Sequence, residues 1–199
     1  MVEKTIDIEA YLTEKSKAIN EEVDKLAPHH ITMKWLEKTF GKPSYGYDLE
    51  SIQKGIVDPM WNLLDRGGKR WRPVLFMLAL EAVGGEVEKY YKYCAIPEII
   101  HNGTLMIDDI EDNSELRRGK PCVHKIYGVD VAINTGNSMY FLPYAVVFRD
   151  QTIDDKTKLA LTDLITFELL RCHAGQGLDI WWHKGKKYEI SENEYLQMC

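Results

Sequence analysis

An all-α fold is predicted for this 199-residue chain, on three observations. Apolar residues recur at helical spacing, glycine and proline breakers fall at helix-length intervals, and strand-like alternation is scarce. Ile8, Leu12, Ile19, Val23 and Leu26 form the first helical stripe, and Leu49, Ile52, Ile56, Met60 and Leu63 form the next. After the breakers Gly67 and Gly68, the run 74–83 is apolar nearly all round and stops at Gly84 and Gly85, as a buried helix would. A helix over 97–112 carries Glu98, His101, Leu105, Asp108 and Asp112 on one stripe and Ile96, Ile99, Ile100, Met106, Ile107 and Ile110 on the opposite face. Pro97 either opens that helix in its first turn or kinks a longer one begun near Glu88. Beyond Gly119, Lys120 and Pro121, another helix is expected over about 155–182 from Leu159, Leu161, Leu164, Ile165, Leu169 and Leu170.

With 45% apolar residues the chain can bury a sizeable core, and one domain is the default. A net charge of -6 argues against a nucleic-acid partner and suits a small phosphorylated ligand met by local basic knots such as Lys69, Arg70 and Arg72. Residues 1–5 hold no apolar h-region and no stretch of about 18 apolar residues occurs. Neither a secretory signal nor a transmembrane span is therefore expected, and the expected location is cytoplasmic. Cys94, Cys122, Cys172 and Cys199 show no CxxC spacing, which points to reduced thiols and away from a disulfide frame or a zinc site.

The acidic run 108–112 is the best clue to function. Like charges at i and i+4 cost a helix roughly 0.2–0.5 kcal/mol per pair, and Asp is a poor helix former, so helix stability gives no reason for it. A bound cation would. Asp108 and Asp112 fall on one face a turn apart, where two hard oxygen donors can share divalent ions that also hold a phosphate-bearing ligand. Three further segments fit this reading. Arg117 and Arg118, just past the helix end, can hold diphosphate oxygens in bidentate fashion. Arg66, Gly67, Gly68, Lys69, Arg70 and Arg72 bring backbone N–H groups and cations to a helix start, an anion cradle that is not a P-loop. Gln176 and Asp179 share a face at i and i+3, beside Gly175 and Gly177, whose place inside a helix implies close packing or close ligand approach.

Over 58–199 these motifs, in the order Gly-Gly-Lys-Arg-x-Arg-Pro, Glu-x-x-His-x-x-x-Leu-x-x-Asp-Asp-x-x-Asp, Arg-Arg-Gly and Gly-Gln-x-x-Asp, resemble the trans-isoprenyl diphosphate synthases, the polyprenyl synthetase family. The likeness is strongest to its geranylgeranyl diphosphate synthase members of the eukaryotic type. The resemblance implies a helical bundle of the isoprenoid synthase type around a central cavity, with residues 1–47 as a helical extension and 48–199 as the N-terminal two-thirds of the synthase domain.

It further implies that Asp108 and Asp112 ligate Mg²⁺ with Asp109 in support, and that Lys69, Arg72 and His101 hold isopentenyl diphosphate. By the same resemblance Arg117 meets the allylic diphosphate, Arg118 the homoallylic one, and Gln176 and Asp179 line the pocket. The implied reaction is a Mg-dependent condensation of isopentenyl diphosphate with an allylic diphosphate. Asp108, Asp109, Asp112, Lys69 and Arg117 would be its catalytic group. Small residues at Gly103 and Thr104 would leave a product tunnel open for C20 or longer chains. The family also implies a homodimer. The chain ends before the family's Lys-Thr pair and second aspartate-rich motif, so a truncated synthase lacking its C-terminal helices, with poor turnover alone, is expected. The alternatives are a subunit completed by another chain, a non-catalytic subunit, a class I terpene cyclase sharing DDxxD, and a metal-dependent scaffold that binds a basic partner.

Overall fold

Asp7 starts the first helix by accepting hydrogen bonds from the backbone N–H groups of Glu9 and Ala10, at 3.0 and 3.1 Å. A computed structural model describes residues 7–199. Helix α1 (Ile8–Leu26) is followed by α2 (Met33–Phe40), capped by Thr32. The carbonyls left open where α1 ends are taken by two indoles: Trp35 Nε1 donates to Leu26 O at 3.2 Å and Trp61 Nε1 to Ala27 O at 2.9 Å. Helix α3 (Leu49–Ile52), a π-helical turn (Gln53–Val57) and α4 (Asp58–Leu64) run on as one element, and Thr135 Oγ1 donates to the Gly55 carbonyl inside the π turn.

Helix α5 (Trp71–Ala82) stops at Gly84, whose φ of 77° needs glycine, so its end falls where the sequence places it. Its surroundings differ from the expectation. Leu75 and Leu78 are 55% and 42% exposed, so the run read as buried all round presents an outward apolar face. Then come α6 (Val87–Tyr90), a 3₁₀ turn (Tyr91–Cys94) and α7 (Ala95–Glu111). Pro97 lies in the first turn of α7, where its missing N–H costs no helical hydrogen bond, so the first of the two options for this residue holds.

A two-strand hairpin, β1 (Leu116–Arg117) and β2 (Lys120–Pro121), then α8 (Val123–Tyr127) and α9 (Val129–Arg149) complete a first compact unit that ends at Arg149. The core joins Ile19, Val23 and Leu36 to Leu63, Leu64, Ile99, Met106 and Met139. Helices α1 and α2 therefore share the core of the later helices.

Helices α7 and α9 run antiparallel and cross at two glycines. A Cβ on Gly103 would lie 2.9 Å from Met139 Cβ and 3.0 Å from the Gly136 carbonyl, and one on Gly136 would lie 2.8 Å from Ile107 Cδ1. A Gly103→Ala variant is expected to lose roughly 1–3 kcal/mol by overpacking this crossing. Urea unfolding checks it, and an unchanged midpoint would show that the helices separate freely.

The second unit, residues 150–199, holds α10 (Asp155–His183), capped by Asp154, and α11 (Glu192–Met198), which starts with a Ser191–Glu194 capping box. A Cβ on Gly175 would run into the Met198 carbonyl oxygen, whereas Gly177 faces open space. Of the two glycines noted in the sequence, Gly175 thus serves helix packing. Among the described residues no helix is long and apolar enough to cross a membrane.

Candidate functional site

Two carboxylates close α7. Asp112 is its C-cap and donates its backbone N–H to Asp108 O at 2.9 Å, which sets the two aspartates one turn apart. Negative charge at a helix C-terminus and at i, i+4 is unfavourable on both counts, so the acids need compensation. Arg117 supplies part of it from the hairpin. Its Nε donates to Asp109 Oδ1 at 2.8 Å, and its Nη2 lies 2.6 Å from the same oxygen and 3.1 Å from Asp108 Oδ2. These carboxylates hold the Arg117 pKa above its ordinary value. Asp109 is buried at 1% exposure, while Asp108 is half-buried and Asp112 exposed. The middle acid therefore anchors the arginine and the outer two face outward.

The hairpin turns through Arg118 and Gly119, with φ values of 52° and 75°. Positive φ at both central residues of a two-residue loop makes a turn whose twist matches the strands. Arg118 is a costly residue for such a place, and backbone strain of this kind gathers at functional positions. Its guanidinium donates to the Gly67 carbonyl. It also lies 3.4 Å from where a Cβ on Gly68 would sit, so the glycine pair lets this arginine approach the loop. Sequence reading puts Arg117 and Arg118 in a loop past a helix end; the structure adds the short hairpin and sends the two side chains to different partners.

Arg72, Arg117 and Arg118 converge electrostatically on His101. Burial, then the charge of Arg72 and those of Arg118 and Arg117, push the His101 pKa down to about 4. Because the folded value lies below the usual 6.5, the unfolded chain binds the proton first. The stability this ring contributes is present above about pH 6.5 and fades as pH falls toward 4. Proton NMR should show one imidazole, missing in His101→Gln, that stays neutral through pH 5; a midpoint near 6.5 would remove the electropositive basin.

The remaining expected residues are distributed differently. Lys69 bonds Glu9 Oε1 of α1 at 2.7 Å, with both side chains largely exposed. Gly103 packs against α9, where it meets Met139 and the Gly136 carbonyl. Thr104 donates its hydroxyl to the His101 carbonyl at 2.8 Å. An apolar cleft of about 550 Å³ does open elsewhere in the first unit, lined by Trp35, Phe40, Ile56, Phe141 and Phe148. Gln176 and Asp179 lie a turn apart on α10 in the second unit, both partly buried.

Some charged residues carry structure that the sequence did not reveal. Arg70, at φ 50°, is buried and donates to Glu98 Oε1 at 2.5 Å, to Asn20 Oδ1 at 2.8 Å and to Leu64 O at 3.1 Å. Glu98 also accepts from Asn102 Nδ2 at 2.8 Å. Glu98, read as part of the functional stripe, is thus engaged by a buried cation. The signal available was its pairing with a run of three nearby cations, but the sequence does not say which of Lys69, Arg70 and Arg72 turns inward.

The donor set near Asp108 decides what cation it could take. Among the described residues, no three His, Cys, Asp or Glu side chains converge as a metal site. Asp108 and Asp112 offer hard oxygens that fill only part of a coordination shell. That fits a small divalent ion which keeps waters and accepts phosphate oxygens, and does not fit a structural zinc.

A family model described as polyprenyl synthetase matches residues 53–199. The chain belongs to the polyprenyl synthetase family. The chain is 34% identical over 160 residues to a geranylgeranyl pyrophosphate synthase of Dictyostelium discoideum, covering 79% of this chain and 50% of that protein. It is 35% identical over 136 residues to a geranylgeranyl diphosphate synthase of Methanosarcina mazei, covering 68% and 41%. The crystal structure of geranylgeranyl pyrophosphate synthetase from Pyrococcus horikoshii Ot3 superposes with a TM-score of 0.77 at 30% identity, covering 96% of this chain and 51% of that one. The all-α fold is therefore that of the isoprenoid synthases. The chain spans half or less of the length of these curated relatives.

Proposed function

We propose that this chain forms the diphosphate-binding part of a Mg-dependent trans-prenyltransferase that condenses isopentenyl diphosphate with an allylic diphosphate to a C20 or longer product. The observation that carries the reading is the meeting of Asp108 and Arg117 beside the Arg72, Arg118 and His101 basin. Carboxylates and guanidiniums side by side serve two ends of one ligand: acids reach a diphosphate through cations, and arginines reach it directly.

In this reading Asp108 and Asp112 hold Mg²⁺, which supplies charge neutralisation to a departing diphosphate. Arg117, steadied by Asp109, takes diphosphate oxygens on the allylic side. Arg72, Arg118 and neutral His101 receive the diphosphate of isopentenyl diphosphate, with Lys69 joining once it leaves Glu9. Gln176 and Asp179 line the substrate pocket, and Thr104 bears on chain length. Apolar side chains exposed on α9, including Ile133, Phe141 and Phe148, support a homodimer or completion by another chain. Four free cysteines suit a reducing compartment, and we place the protein in the cytoplasm.

Calorimetry with a non-hydrolysable allylic diphosphate, with and without magnesium, tests the reading. Binding that needs the metal is expected; metal-independent binding, or none, overturns it. Incorporation of labelled isopentenyl diphosphate then separates a synthase from a cyclase.

A further inference from the structure

We infer that Arg66, held by Asn62, is a positioning residue that aims Arg117 at the diphosphate. The inference rests on the proposed function for the ligand and on geometry for the clamp. Arg66 lies just beyond α4, and its guanidinium touches both strands of the hairpin. Nη1 donates to Arg117 O at 3.0 Å and to Lys120 O at 3.4 Å, and Nη2 donates to Pro121 O at 2.8 Å. The other side of the fork is fixed by Asn62, whose carbonyl accepts from Nε at 2.9 Å and whose Oδ1 accepts from Nη2 at 2.5 Å.

The hairpin needs such a support. Its strands are two residues each, paired Leu116 to Pro121 and Arg117 to Lys120, and a hairpin that short does not hold its shape in water. Its turn also places Arg118 at positive φ. Arg66 bonds backbone carbonyls on either side of that turn, so it fixes the direction in which Arg117 leaves β1 toward Asp108 and Asp109. Partial burial lowers the Arg66 pKa, and its hydrogen bonds go to neutral oxygens. On top of burial, its charge adds to those of Arg70 and Arg117 in lowering the pKa of Arg118. Lysine could keep the charge but not the fork, since one ammonium cannot span three carbonyls and Asn62 together.

The test uses the full chain as wild type, Arg66→Lys, Arg117→Met and the double variant. Two measurements are made on each: magnesium-dependent binding of the non-hydrolysable allylic diphosphate, and hydrogen exchange of the amides in 116–122. Arg66→Lys is expected to weaken binding about tenfold and to speed hairpin exchange about tenfold while the α7 core stays protected. In the Arg117→Met background the same substitution should cost less than about twofold, because its target is gone. Asn62→Leu should reproduce the exchange effect at lower amplitude. Equal losses in both backgrounds, or unchanged exchange in 116–122, overturn the clamp. A wild type with normal hairpin protection that binds no diphosphate refutes the proposed function and with it the ligand role of Arg66, so the two failures are told apart.

Discussion

Replacing Asp108 with alanine is expected to weaken magnesium-dependent diphosphate binding roughly 100-fold or more, because a metal clamp supplies several kcal/mol of charge stabilisation. The geometry separates this from a folding effect. Asp108 is half-buried, and its contact with Arg117 at 3.1 Å is the longer of that arginine's two carboxylate contacts. The hairpin should therefore stay docked on Asp109, and thermal unfolding of Asp108→Ala should stay close to wild type. Asp109→Ala should do the reverse, freeing the buried end of Arg117 and loosening the hairpin before any ligand is added. Calorimetry at several magnesium concentrations distinguishes the two, since only the Asp108 variant should lose the metal dependence with the fold intact. Equal affinity in wild type and Asp108→Ala would remove the metal role.

Arg70→Met should cost about 3–5 kcal/mol of stability, the usual penalty for stranding one partner of a buried ion pair. Both side chains are nearly inaccessible, at 5% and 4% exposure, and water cannot solvate the Glu98 carboxylate left behind. Arg70 also ties α1 through Asn20 and α4 through Leu64, so its loss should loosen the junction from which the glycine loop departs. The double variant Arg70→Met, Glu98→Leu should recover most of the loss, since an apolar pair of similar volume removes the stranded charge. Urea unfolding measures both, and a single variant as stable as wild type would show that the charges are solvated in solution.

Much of the fold was legible in the sequence because helix periodicity is a local property. The stripes from Ile8 to Leu26 and from Leu49 to Leu63, the glycine stop at Gly84 and the last long helix all lie where apolar spacing and breakers place them. The pairing of Asp108 with Asp112 was legible for the same reason, since i and i+4 share a helix face whatever the rest of the chain does. The close crossing at Gly103 was not, because a small residue in a helix does not name the neighbour it admits. Only the folded chain brings Gly136 and Met139 of α9 against it.

The sequence by itself determined the all-α class, the helix boundaries near the site and the set of acids and arginines that belong together. Tertiary structure decided which cation does what. Lys69 meets Glu9 60 positions away, Arg66 grips carbonyls 51 to 55 positions away, and Arg70 sinks onto Glu98 28 positions away, although all three cations come from one five-residue run. Spacing along a chain fixes which residues share a helix face, but a long side chain leaving a loop chooses its partner from whatever the folded chain brings near.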